Sequence, residues 1–131
     1  MIHVPSNRVA DHWDRVKAGL DRIIRKTAPD WSAGDVLCAL ARGDAFLALI
    51  EDDAFLIWQR YPGDDGRGML FILACEGRGL ALHGPAVYAE LETMARNLRC
   101  ARVRMMSPRK GWAREPFWTL TGYVFEHEVE P

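Results

Sequence analysis

The string Arg109-Lys110-Gly111-Trp112-Ala113-Arg114 joins residue types that hold phosphates to one that stacks on flat rings. Guanidinium and ammonium groups donate to phosphate oxygens, and an interleaved tryptophan can face a base or an adenine. The string ends a longer basic run. Between Arg96 and Arg114 lie seven basic residues (Arg96, Arg99, Arg102, Arg104, Arg109, Lys110, Arg114) and no acidic one, against 10 basic and 18 acidic residues elsewhere. The net charge of −1 thus hides a positive field on an acidic body. Such a field suits an anionic ligand or an acidic partner surface, or it is a solvated helix end and strand face. A sequence pI near 6.4 disfavours nucleic acid as the main partner.

The remaining reactive residues form no metal or nucleophile pattern. His3, His12, His83 and His127 lack ligand spacing, so zinc is not expected, and Asp64-Asp65-Gly66 reads as a turn rather than a cation loop. No Walker A or dinucleotide glycine fingerprint is present. Cys38, Cys75 and Cys100 stand far apart, which fits buried thiols in a reducing compartment, with Cys75 in the core. No apolar run reaches the roughly 20 residues of a bilayer span, and Met1-Ile2-His3-Val4-Pro5 lacks the basic flank and apolar run of a secretory signal. A cytoplasmic location is expected.

The elements that must position these residues follow from periodicity. At 131 residues and 49% hydrophobic content, one domain over residues 1–131 is expected. Ile2 to Val4 reads as a short strand stopped by Pro5. Val9, Trp13, Val16, Leu20 and Ile23/Ile24 lie on one face of a helix, with Ser6 as its expected N-cap and Pro29 beyond its end. Ser32 and Asp35 open a second helix that Gly43 closes. Ala45–Ile50 and Ala54–Tyr61 form a hairpin about Glu51-Asp52-Asp53, and 62–68 is a loop. Met69–Cys75, apolar almost throughout, is a central strand covered on both faces. A glycine-punctuated segment, 76–84, leads to a helix starting near Pro85. Ala101–Met106 alternates arginines with apolar residues, Pro108–Thr121 is a bent helix or helical turn in which Trp118 plugs the core, and Tyr123–Val129 is a last strand. The order implies an antiparallel front half and parallel pairing behind it: a mixed α/β (α+β) sheet of about six strands with about four helices.

This order resembles the GNAT superfamily of N-acetyltransferases over essentially the whole chain. Phe117-Trp118-Thr119-Leu120-Thr121-Gly122-Tyr123-Val124-Phe125 is similar to the family's aromatic-x-x-x-Gly-aromatic segment. Cys100-Ala101-Arg102-Val103-Arg104 with the Arg-x-Gly-Trp-x-Arg string resembles a branch of small bacteriophage-encoded GNAT-like proteins. The resemblance implies acetyl-CoA bound where the fourth and fifth strands separate, with its thioester polarised by backbone near Leu73 and Ala74. Backbone amides over 76–87, with Arg78, Gly79 and Gly84, would hold the diphosphate, and Arg109 would add a cation. The glycines of Arg78-Gly79-Leu80-Ala81-Leu82-His83-Gly84 are spaced differently from the family's Gln/Arg-x-x-Gly-x-Gly/Ala motif. The position of the family's proton-donating tyrosine, four residues before Gly122, holds Trp118, leaving Tyr123 or Ser107 as donors of different geometry. Glu76, Glu51 or His83 would accept the proton of an amine. Two functions follow: an acetyl-CoA-dependent N-acetyltransferase, or a catalytically silent GNAT-fold phage protein, virion-associated or host-interacting, that binds an acidic partner through Arg96–Arg114.

Overall fold

The computed structural model describes residues 1–51, 53–63, 65–107, 112, 114–122 and 127. Among them five strands run in the order β1 (Ile2–Val4), β2 (Phe46–Ile50), β3 (Ala54–Pro62), β4 (Gly68–Glu76) and β5 (Cys100–Met105). The first three junctions are antiparallel and β4–β5 is parallel, as the sequence order implies. Four helices accompany them: α1 (Trp13–Thr27), α2 (Ala33–Arg42), α3 (Arg78–Leu82) and α4 (Gly84–Asn97). The expected last strand falls on residues that, His127 apart, lie outside the described set.

Alternation along the strands creates two cores; Cys75 and Cys100 are half-buried against one of them, whereas Cys38, expected to be buried, is exposed on α2. Phe55 and Ile57 of β3 join Leu47 of β2 beneath Val16, Leu20, Val36 and Leu40 of α1 and α2. Leu56 and Trp58, from the same strand, join Leu70, Ile72, Val87 and Leu91 beneath α4. A strand covered on both faces has no position left for a polar residue, hence the unbroken Ala54-Phe55-Leu56-Ile57-Trp58 run.

The second helix starts as its sequence dictates. Ser32 Oγ accepts from the Asp35 amide at 3.1 Å and Asp35 Oδ2 accepts from the Ser32 amide at 2.9 Å, a reciprocal capping box. These bonds hold the Asp35 carboxyl below its ordinary range. Gly43 ends the helix at φ 76°. The first helix departs from expectation. Ser6 is not an N-cap, because Ser6–His12 is a 3₁₀ segment and the α-helix begins only at Trp13, with no capping side chain. Apolar spacings of three and four fit either helix type over so short a stretch, so the pattern could not tell them apart.

The glycine-punctuated segment, 76–84, contains the single turn α3. Gly77 has φ 119°, and a Cβ there would strike Ala54 Cα and the Asp53 carbonyl. A Cβ on Gly79 would overlap the Glu51 carbonyl oxygen. Both glycines are therefore required by the close seat of α3 on the β2–β3 turn.

Two outcomes follow. Gly79→Ala should destabilise the fold by about 1–3 kcal/mol, as overpacking against rigid backbone does, read from urea denaturation midpoints. Ser32→Ala should lower stability at neutral pH more than at acid pH. Asp35 is depressed in the fold, so its contribution is present above its unfolded value and lost as pH falls through the folded one; without Ser32 that acid-side loss should shrink in melts between pH 7 and pH 2.

Candidate functional site

The site begins with a register break in β4. Ile57 pairs with Ala74, but Trp58 pairs with Ile72, so Leu73 is an extra residue, a β-bulge. A bulge shifts the facing of everything beyond it by one residue. Leu70 and Ile72 face α4, whereas Leu73 and Ala74 both pack with the α1–α2 core. Glu76 in consequence reaches α1, where Arg22 Nε donates to its Oε1 at 2.7 Å. Glu76 in turn raises the Arg22 pKa above its ordinary value, so the guanidinium stays charged.

Just before the same point β4 loses its second neighbour. The parallel ladder to β5 ends at Ile72↔Met105; beyond the unpaired Leu73, Ala74–Glu76 are paired, among the described residues, to β3 alone. Beside this end lies a groove of about 450 Å³ lined by Glu76, Leu80, Ala81, Gly84 and Pro85 on one side and Trp112, Glu115, Pro116 and Phe117 on the other, with Tyr88 between. Trp112, Glu115 and Trp118 are linked in succession, Glu115 N–H donating to Trp112 O and Trp118 N–H to Glu115 O, both 3.1 Å. Its rings pack on α4: Phe117 stacks on Tyr88 at 4.4 Å, and Trp118 meets both edge-on. Beneath them, between Ile72, Cys75 and Met105, a void of about 20 Å³ remains.

The residues expected from sequence divide as follows. Glu76 and Gly84 line the groove, and Leu73 and Ala74 form the bulge below it. Gly79 is turned onto the hairpin, and the Leu80 and His83 amides are used inside α3, donating to Gly77 O and Gly79 O at 3.3 and 2.9 Å. Arg78 is exposed at the start of α3, and His83 Nε2 lies 3.8 Å from Glu51 Oε2 across the hairpin turn. Ser107 follows β5 and is exposed; Arg109 and Tyr123 lie outside the described residues. Trp118 is packed, as expected of a plug, although its buried Nε1 has no well-aligned acceptor.

Tyr88 is the residue that sequence reading missed, because a single tyrosine within a helical run carries no spacing signal of its own. Burial pushes its phenol up from 10.0, the nearby Trp118 indole pulls it down, and the charge of Glu115 adds to the rise. Among the described residues no group of three or more His, Cys, Asp or Glu could hold a metal ion, and no helix is long and apolar enough to cross a membrane.

A mixed sheet with a bulged fourth strand, a parallel fifth that stops short of its end and helices on both faces is the fold of the GNAT acetyltransferases, and this chain has it. One similar structure is a probable acetyltransferase, with 13% identity, a TM-score of 0.68, and 99% of this chain and 96% of that one covered. An aminoglycoside acetyltransferase from an uncultured soil metagenomic sample, in complex with sisomicin, aligns at TM-score 0.67 and 9% identity over 98% and 94% of the chains. The ribosomal-protein-alanine N-acetyltransferase of Brucella melitensis biovar Abortus aligns at TM-score 0.62 and 14% identity over 92% of each. No protein-family model and no curated sequence matches.

One titration checks the site. A phenol raised in the fold adds stability below pH 10 that is lost as pH climbs through its folded value. Tyr88→Phe should therefore lose less stability than wild type between pH 10 and pH 12, and its absorbance titration should lack one late-ionising tyrosine.

Proposed function

We propose that the protein is an acetyl-CoA-dependent N-acetyltransferase working at the groove beside the end of β4. The observation that carries this reading is the four-residue extension of β4 past its last rung with β5. A strand edge left without a partner offers N–H and C=O groups to an extended, amide-bearing chain, which can lie against it as a further strand would. The acyl arm of acetyl-CoA is such a chain, and the bulge at Leu73 and Ala74 adds backbone polarity where its end would rest.

The fit is closer for the arm than for the diphosphate. In α3 the Leu80 and His83 amides are already bonded and Gly79 faces the hairpin. The diphosphate grip then falls to the first turn of α4, where Gly84 lines the groove and Pro85 has no N–H, and to Arg78, with Arg109 as a further candidate.

Acetyl-CoA, when bound, supplies an acetyl group activated as a thioester. The chain's own contribution is positional first, bringing amine and acyl carbon together at the mouth of the groove, a term that can exceed any single acid or base. Glu76 accepts the proton of the incoming ammonium, its carboxylate aimed by Arg22; Glu51 and His83, at the hairpin turn, are the alternative acceptors. Tyr88 holds a proton on Oη beside Cys75 and Glu115, where Trp118 has only an indole N–H to offer. It takes the donor's place ahead of Ser107 and Tyr123.

Calorimetry and thermal shift with acetyl-CoA test the reading, because a ligand of the native state raises the melting temperature by mass action. Binding is expected for wild type and should be lost in Gly84→Phe, where an added Cβ meets only Tyr88 Cε2, at 3.8 Å, and the melting curve of the ligand-free variant verifies that the ring is accommodated. No shift at millimolar acetyl-CoA would overturn the proposal. Where turnover is observed, Glu76→Gln should lower kcat about 100-fold with acetyl-CoA affinity unchanged.

A second reading draws on the closed α3 turn: a GNAT fold without catalysis, phage-encoded as the Arg-x-Gly-Trp-x-Arg string suggests, acting on an acidic host or virion protein. Arg96, Arg99, Arg102, Arg104 and Arg114 all stand exposed. Under it Arg104→Glu abolishes partner association while acetyl-CoA causes no thermal shift.

A further inference from the structure

The wall of the groove contributed by the 112–117 segment has a chemistry of its own. Trp112, Pro116 and Phe117 give it flat apolar surface, which Leu80, Ala81 and Pro85 continue on the facing side. Among the described lining residues the ionisable side chains are Glu76, Glu115 and the phenol of Tyr88; none is basic. Glu76 is already partnered by Arg22, whereas Glu115 makes no ion pair among the described residues and its charge is felt at the Tyr88 oxygen. One uncompensated carboxylate set into an aromatic and aliphatic cleft is complementary to a cation that carries an apolar body.

We propose that this wall of the groove is the binding site for an organic amine, a protonated primary amine on an aromatic or branched aliphatic body. The ammonium pairs with Glu115, and the body lies against Trp112, Pro116 and Phe117. Identifying this amine as the acetyl acceptor rests on the reading above; its binding does not. A polycation without apolar surface leaves the aromatic wall against water, and a neutral isostere leaves Glu115 unpaired, so both are discriminated against.

Titrations of the full chain followed by tryptophan fluorescence and calorimetry test this with 2-phenylethylamine, its neutral isostere 2-phenylethanol, and spermidine. Phenylethylamine is expected to bind at least about tenfold more tightly than either of the others. Glu115→Gln should erase its advantage over the alcohol while leaving alcohol binding unchanged. Glu115→Lys should turn the preference to 3-phenylpropionate. Glu115 is exposed, so both variants should fold, which their melting curves verify. Equal binding of amine and alcohol, tighter binding of spermidine, or an unaltered preference in Glu115→Gln would overturn the proposal. Amine discrimination without acetyl-CoA binding would sustain this site and sink the acetyltransferase reading. Acetyl-CoA binding without amine discrimination would do the reverse.

Discussion

One extra residue in β4 determines most of what this molecule can do. Because side chains alternate strictly along a strand, inserting Leu73 exchanges the two faces for everything after it. Ala74 goes to the α1–α2 core, Cys75 to the α4 side, and Glu76 back to α1 and Arg22. Had the alternation continued unbroken from Leu70 and Ile72, Glu76 would lie on the α4 face among apolar side chains. The bulge also follows directly on the last rung to β5, so a carboxylate and an open strand edge emerge at one place. Neither would be of much use alone.

The aromatic cluster completes the site from the other side. Tyr88, Phe117 and Trp118 fill the wedge between β4, β5 and α4, leaving only about 20 Å³ beneath them, and the larger groove begins where their packing stops. The groove floor is accordingly backbone and small side chains, while its outer wall is aromatic with one carboxylate. A chain that must lie flat on backbone and a compact body that prefers aromatic surface would each find a different half of the same cleft.

Much of this architecture was readable from residue patterns. The Ser32–Asp35 box, Gly43, the hairpin at Glu51–Asp53 and the change from antiparallel to parallel pairing all depend on local chemistry or on element order, which sequence displays directly. Three features were not readable, for distinct physical reasons. The 3₁₀ start at Ser6 has the apolar spacing of an α-helix. The bulge leaves no mark in a strand that is apolar on both faces, because Met69–Cys75 looks the same in either register. The role of Gly77 and Gly79 depends on the hairpin turn, about 25 residues away in the chain, which abuts them. Their glycine content suggested a loop open to a ligand, and it instead permits a helix turn to lie against backbone. Glu76 was legible as a candidate by its place at a strand end, whereas Tyr88 needed the third dimension.

The seat of α3 on the hairpin has a consequence for how the chain could grow. Hairpin tips are ordinarily where insertions accumulate, since added residues there extend into solvent at small entropic cost. Here the tip at Glu51 and Asp53 is wedged beneath Gly77 and Gly79, so a longer tip would lift α3 and tilt the first turn of α4 that borders the groove. The β3–β4 connection around Asp65 and Gly66, exposed and at the opposite end of the strands, bears no such burden. Lineages of this fold that lengthen the second connection while keeping the first at its present size would be following a steric rule set by two hydrogen atoms.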